Sequence, residues 1–368
     1  MLKIIFQIWF IFVFMMINSA CTSEKLISYA ATANEIQITG RHLIKNSNEV
    51  HFAASGVHFD FTVEGETAIV EFSNAAKSNE QYNWFQVVVD GEPKLRFRTF
   101  EDKREYTLAS NLGKGKHHIR LIHETEGQQG LVGIKQFKAK KIIKSKQENR
   151  ALIEFIGDSI TCGFGSNDEL IPCGTGTWFD QHSASRSYGY LLTEKLNADV
   201  MLSSVSGMGI SRNWNTDGPT MNSTYSSVSI DPSNVNDQWD FSKHADLVVI
   251  ALGTNDFSDG DNPEKPRPLP NEEKFKEEYT KLILTAKSNY PNATFLLTDS
   301  PLLQDSKKAM LNTWLKDIAE KVTKTSNCAI VLFEYKGHYP SGCSSHPSEL
   351  EHEKMLEELL PTMKKLLK

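Results

Sequence analysis

The sequence predicts two domains in series: an N-terminal β-sandwich of jelly-roll type, then an α/β three-layer domain built on a five-stranded parallel sheet. Three observations carry this reading. The 368 residues are more than one core usually organises, at roughly 150 residues per domain. Up to about Lys141, short stretches alternate apolar and polar residues and are separated by glycine turns. Beyond Arg150, the pattern changes to continuous apolar runs divided by helical faces, the signature of buried parallel strands.

The chain opens with Lys3, an apolar run from Ile4 to Ile17 and the small residues Ser19-Ala20 before Cys21. This arrangement describes a secretory signal over residues 1–20. The run is short for a membrane-spanning helix, which needs about 20 apolar residues. Cys21 resembles the lipidated cysteine of a bacterial lipobox, so the expected contact with a membrane is an N-terminal lipid anchor. The expected location is the periplasm or the outer-membrane surface. A net charge of −6, from 40 basic and 46 acidic residues, argues against nucleic acid as a partner, because phosphate binding needs a basic surface.

Residues 21–145 form the expected β-domain. Val57, Phe59, Phe61 and Val63 alternate with His58, Asp60 and Thr62, as in a half-buried strand. Gly65 is read as a turn leading to a second strand at Ala68–Phe72. Trp84–Val89 runs into Asp90-Gly91, a hairpin signal, and Gly113-Lys114-Gly115 precedes the strand around His118–Ile122. The basic stretch from Lys138 to Arg150 reads as a solvated strand end and linker.

Residues 146–368 form the expected α/β domain. Its strands are Leu152–Ile156, Val200–Ser203, Leu247–Leu252, Phe295–Thr298 and Ile330–Phe333. Phe275, Tyr279, Leu282, Ile283 and Ala286 make one helical face, and Met310, Trp314, Ile318 and Val322 a second. A last helix starts at the N-cap Ser348 and buries Met355, Leu359 and Met363. Reactive residues in such sheets lie just past the strand C-terminal ends. Those positions hold Gly157-Asp158-Ser159, Ser206-Gly207-Met208-Gly209 and Gly253-Thr254-Asn255-Asp256, with His346-Pro347 after the fifth strand.

Taken singly, these residues suit caps and turns. Together they supply acyl transfer, which needs a nucleophile, a base and donors for an oxyanion. Ser159 is the candidate nucleophile and His346 the base. The Ser159 N–H, the Gly207 N–H and the Asn255 side-chain amide are the candidate oxyanion donors. Trp178 and Trp214 are candidates for stacking on a sugar, as is Trp239. Cys162, Cys173, Cys328 and Cys343 allow three full disulfide pairings, and a bridge between Cys173 and Cys343 would lie near the pocket mouth. Their spacing does not suit a zinc site.

The four blocks, in this order, resemble those of the SGNH (GDSL-type) hydrolase superfamily. Gly157–Gly165, Ser206–Ile210 and Gly342–Ser348 resemble carbohydrate esterase family 2 more narrowly, as do Gly40-Arg41, Val89-Asp90-Gly91, Gly115-Lys116-His117, Arg120-Leu121 and Glu124–Gly127. The resemblance implies a jelly roll before the catalytic domain and removal of acetyl groups from polysaccharides or oligosaccharides, with no cofactor or metal. Two other readings use the same residues: an esterase or lipase acting on non-sugar esters, and a decayed, glycan-binding surface lipoprotein.

One departure stands out. The superfamily commonly places Asp three residues before the histidine, where this chain has Cys343. The narrower family often reads Asp-Trp where it has Ser344-Ser345. With no carboxylate there, the expected arrangement is a Ser159–His346 dyad, its imidazole oriented by a backbone carbonyl.

Overall fold

The computed structural model describes residues 24–46, 48–144, 149–230, 237–326 and 328–367. The leader, Cys21 and the expected 145/146 boundary lie outside the described residues.

The N-terminal region is an antiparallel sheet of ten strands, with His58–Asn74 and Val132–Ile143 as its two longest members. Period-2 alternation explains the core: Phe59, Phe61, Val63, Val70 and Phe72 point inward with Phe85, Val87, Ile119, Leu121 and Phe137. Two expectations need correction. Gly65 is no turn. Its φ of +137° lets one 17-residue strand pass through a bend opposite an irregular register between Ala139 and Lys141. The start of the strand, His58–Phe61, is also buried on both faces, and the half-buried alternation begins only at Thr62. His58 and Asp60 are only 2% exposed because this polar face meets the second domain. Asp60 accepts from Arg120 Nε at 2.8 Å, Arg120 pairs with Glu194, and the His58 ring lies 5.9 Å from that of Tyr190.

The second region is a parallel five-stranded sheet. Its spatial order is Asp199–Ser204, Leu152–Gly157, Leu247–Ala251, Thr294–Thr298 and Ile330–Phe333. Helices cover both faces. Glu272–Asn289 buries the predicted Phe275, Tyr279, Leu282, Ile283 and Ala286. Asp305–Ser326 buries Leu311, Trp314, Leu315, Ile318 and Val322, with Met310 at the margin. Glu349–Leu366 starts at Ser348, where a reciprocal capping box with Glu351 satisfies the first backbone donors.

A buried cation joins the two regions. Arg41 is fully enclosed; it donates to Glu154 Oε1 and Ser203 Oγ, each at 2.8 Å, and to the Tyr225 carbonyl. Trp239 packs near this guanidinium and is 5% exposed, so it belongs to the core and is unavailable for sugar stacking.

Candidate active site

The first parallel strand ends at Gly157, and the chain turns at once into the short helix Ser159–Cys162. Asp158 caps that helix, its Oδ1 accepting from Ile160 N at 3.0 Å. Burial pushes the Asp158 carboxyl up to about 7, against the pull of the Ile160 N–H and with the nearby Asp256 charge adding to the rise. The turn exposes Ser159 Oγ 2.8 Å from His346 Nε2. His346 Nδ1 lies 2.9 Å from the carbonyl oxygen of Ser344. A carbonyl only accepts, so Nδ1 carries the proton and Nε2 presents its lone pair to the serine.

The loop geometry explains how a carbonyl stands where an acid would. Ser344 and Ser345 have φ of +54° and +58°, and this left-handed pair brings the Ser344 carbonyl back beneath the ring. Gly342 N donates to His346 O at 2.7 Å, closing the loop. Glu351 Oε2 accepts from Ser341 N at 2.8 Å and Ser348 N at 3.2 Å. A Cys173–Cys343 disulfide ties the loop to the segment bearing Trp178, while Cys162 and Cys328 are free and buried. Burial lowers the His346 pKa below 6.5, opposed by the Ser344 and Cys343 backbone.

The three candidate donors differ in their present engagement. Among the described residues, neither the Ser159 N–H nor the Gly207 N–H has an acceptor. Asn255 Nδ2 already donates to Asp158 Oδ2 and to Met208 O, both at 3.0 Å. Its amide therefore joins the Ser159 turn to the Gly207 loop. Asp256, next in the chain, accepts from the backbone N–H groups of Ile210, Ser211 and Arg212 at 2.7–3.2 Å. Gly207 has φ of +77°, and a Cβ there would fall 2.5 Å from Trp214 Cδ1. Glycine is thus required both by the backbone and by an indole packed directly on it.

Trp214 is 39% and Trp178 44% exposed. Phe164, which the sequence did not single out, connects Trp178 to His346. Its ring lies 4.3 Å from that of His346 and 5.9 Å from that of Trp178. His182 meets Phe164 edge-on at 4.8 Å, and burial holds its pKa down at about 3, so it is a neutral packing partner at neutral pH. Position within the first block, Gly163-Phe164-Gly165, was the available clue to Phe164. Among the described residues, no group of three or more His, Cys, Asp and Glu is placed to hold a metal ion.

Comparison with known proteins matches both regions. Residues 38–145 fit the carbohydrate esterase 2 N-terminal family, and residues 155–350 the GDSL-like lipase/acylhydrolase family. An acetylxylan esterase/glucomannan deacetylase of Cellvibrio japonicus is 27% identical over 360 residues, 95% of each chain. The cellulase/esterase CelE of Acetivibrio thermocellus is 28% identical over 90% of this chain and 39% of that longer protein. The fold also resembles a solved family two carbohydrate esterase from Cellvibrio japonicus, with TM-score 0.82 and 26% identity over 93% of this chain and 98% of that one. A family two carbohydrate esterase from Clostridium thermocellum, solved with cellohexaose, gives TM-score 0.80 and 28% identity over 90% and 99%.

Proposed function

This chain belongs to the GDSL-like lipase/acylhydrolase family, and within it to carbohydrate esterase family 2, and we propose that Ser159 and His346 make it a carbohydrate O-acetylesterase. Its substrates are acetylated polysaccharides or oligosaccharides of the xylan and glucomannan kind. The observation that carries the reaction is the 2.8 Å contact between Ser159 Oγ and a His346 Nε2 whose tautomer is fixed from behind.

Ser159 Oγ attacks the acetyl carbonyl while Nε2 takes its proton. The developing oxyanion meets the unengaged N–H groups of Ser159 and Gly207. Asn255 becomes the third donor by giving up Met208 O for the oxyanion while keeping Asp158. The imidazolium returns the proton to the leaving sugar oxygen. Water, activated by the same nitrogen, then releases acetate. The Ser344 carbonyl orients the ring throughout, contributing a dipole where a triad has a charge. Trp178 and Trp214 give the sugar two half-exposed indole faces beside the base and the oxyanion loop.

Acetate release from acetylated xylan, acetylated glucomannan and 4-nitrophenyl acetate tests this reading. Release from the polysaccharides, lost in Ser159→Ala, is expected. Release confined to long-chain esters would favour the non-sugar esterase, and no release above the Ser159→Ala background would leave a glycan-binding protein. The leader and Cys21 support export with a lipid anchor. Palmitate labelling that disappears in Cys21→Ala is the expected outcome, and labelling that persists would contradict it.

A further inference from the structure

Two side chains from the other domain hold the peptides on either side of Ser206, the second of which carries the Gly207 N–H. Gln128 lies in the one-turn 3-10 helix Gly127–Gln129 of the β-domain. Its Nε2 donates to Ser206 O at 2.9 Å. Glu126, fully buried, accepts from Ser206 N at 2.7 Å. The same Glu126 Oε2 accepts from Cys162 Sγ at 2.9 Å, and Cys162 closes the helix that starts at Ser159. One carboxylate oxygen is therefore shared between the nucleophile helix and the loop of the oxyanion donor. Gln128 is itself fixed, because its carbonyl accepts from Gln81 Nε2 at 2.7 Å.

We propose that Gln128 and Glu126 are positioning residues for the oxyanion hole, which makes the β-domain part of the reaction centre. Ser206 C=O and Gly207 N–H belong to one planar trans peptide and point in opposite directions. Fixing the carbonyl on the β-domain side therefore aims the N–H toward the other side. A hydrogen bond accepted by the carbonyl also polarises the amide and strengthens its N–H as a donor. Glu126 fixes the preceding N–H, so the segment is restrained on both sides of Ser206. The Asn255 and Asp256 contacts restrain the same loop beyond Gly207. The inference rests on the reading of Gly207 N–H as an oxyanion donor.

The test measures steady-state kinetics on 4-nitrophenyl acetate and the affinity of phenylboronic acid, which forms a tetrahedral adduct on a nucleophilic serine. Full-length Gln128→Ala is expected to lose about tenfold in kcat, less than the 10²–10³ typical of deleting a donor outright, with KM changed by less than about twofold. Boronate affinity should fall by about the same factor as kcat/KM, since both report tetrahedral-state binding, and the pH profile should keep its position. Glu126→Gln, which retains an acceptor for Ser206 N, should stay within about threefold of the parent, whereas Glu126→Ala falls with Gln128→Ala. If Glu126→Ala does not fold, Gln128→Ala decides the matter. An active parent whose Gln128→Ala variant matches it in kcat and boronate affinity overturns the positioning role alone. A parent without esterase activity overturns the underlying reading and this inference together.

Discussion

At the residue scale, the proposed reaction depends on an imidazole held by a carbonyl. Burial lowers the His346 pKa, and the neutral ring is the active form. The rate is therefore full above that pKa and lost as pH falls through it. The acid limb of kcat/KM, which reports the free enzyme, should lie below pH 6.5, with the rate flat through neutrality. A midpoint at or above 6.5 would show a ring not desolvated by this site. The holding carbonyl depends in turn on the left-handed turn at Ser344. Ser344→Gly should keep wild-type kcat, since glycine adopts positive φ freely. Ser344→Val, β-branched and poorly suited to that region, should cost tenfold or more in kcat through a displaced ring, of the order expected for a misplaced catalytic group. Equal kcat in the two variants would separate the turn from catalysis.

At the element scale, the His346 loop is stabilised by the helix that follows it. Glu351 completes the capping box with Ser348 and also accepts from Ser341 N. Glu351→Ala should destabilise the protein by about 1 kcal/mol, as lost caps do, and lower kcat with little change in KM. Thermal unfolding and steady-state kinetics check both effects, and a stability loss with unaltered kcat would place the helix start outside the catalytic geometry. The parallel strands and the face of Glu272–Asn289 were legible because a buried run or an amphipathic stripe is a local pattern. Ser159, Gly207 and Asn255 were legible as residues standing just past the ends of such runs, and His346 through the resemblance of its block on the loop after the fifth strand. The Gly65 bend was misread because a glycine with positive φ serves a turn or a bulge alike, and only the partner strand decides. A backbone carbonyl behind His346 was expected, though that it is Ser344's follows from positive φ at two serines, while the packing of Phe164 on His346 and the grip of Glu126 on Ser206 arise from contacts between distant segments. No periodicity announces such contacts.

At the scale of the whole molecule, the two domains are joined through a buried polar interface, which explains why the strand at His58–Asn74 has no solvated face over its first residues, His58–Phe61. Arg41 and Glu154 are both fully enclosed, 2.8 Å apart. Arg41→Ala should destabilise by about 3–5 kcal/mol, because it leaves the Glu154 carboxylate buried without its partner. A urea midpoint unchanged from the parent would contradict that assignment. The most direct measurement of the central claim is acid-quench mass spectrometry of the protein during turnover of acetylated xylan or 4-nitrophenyl acetate. One added acetyl group is expected on the peptide carrying Ser159, and none in Ser159→Ala. Turnover with the acetyl group on another residue, or with no acetylated peptide under conditions that slow deacylation, would contradict it.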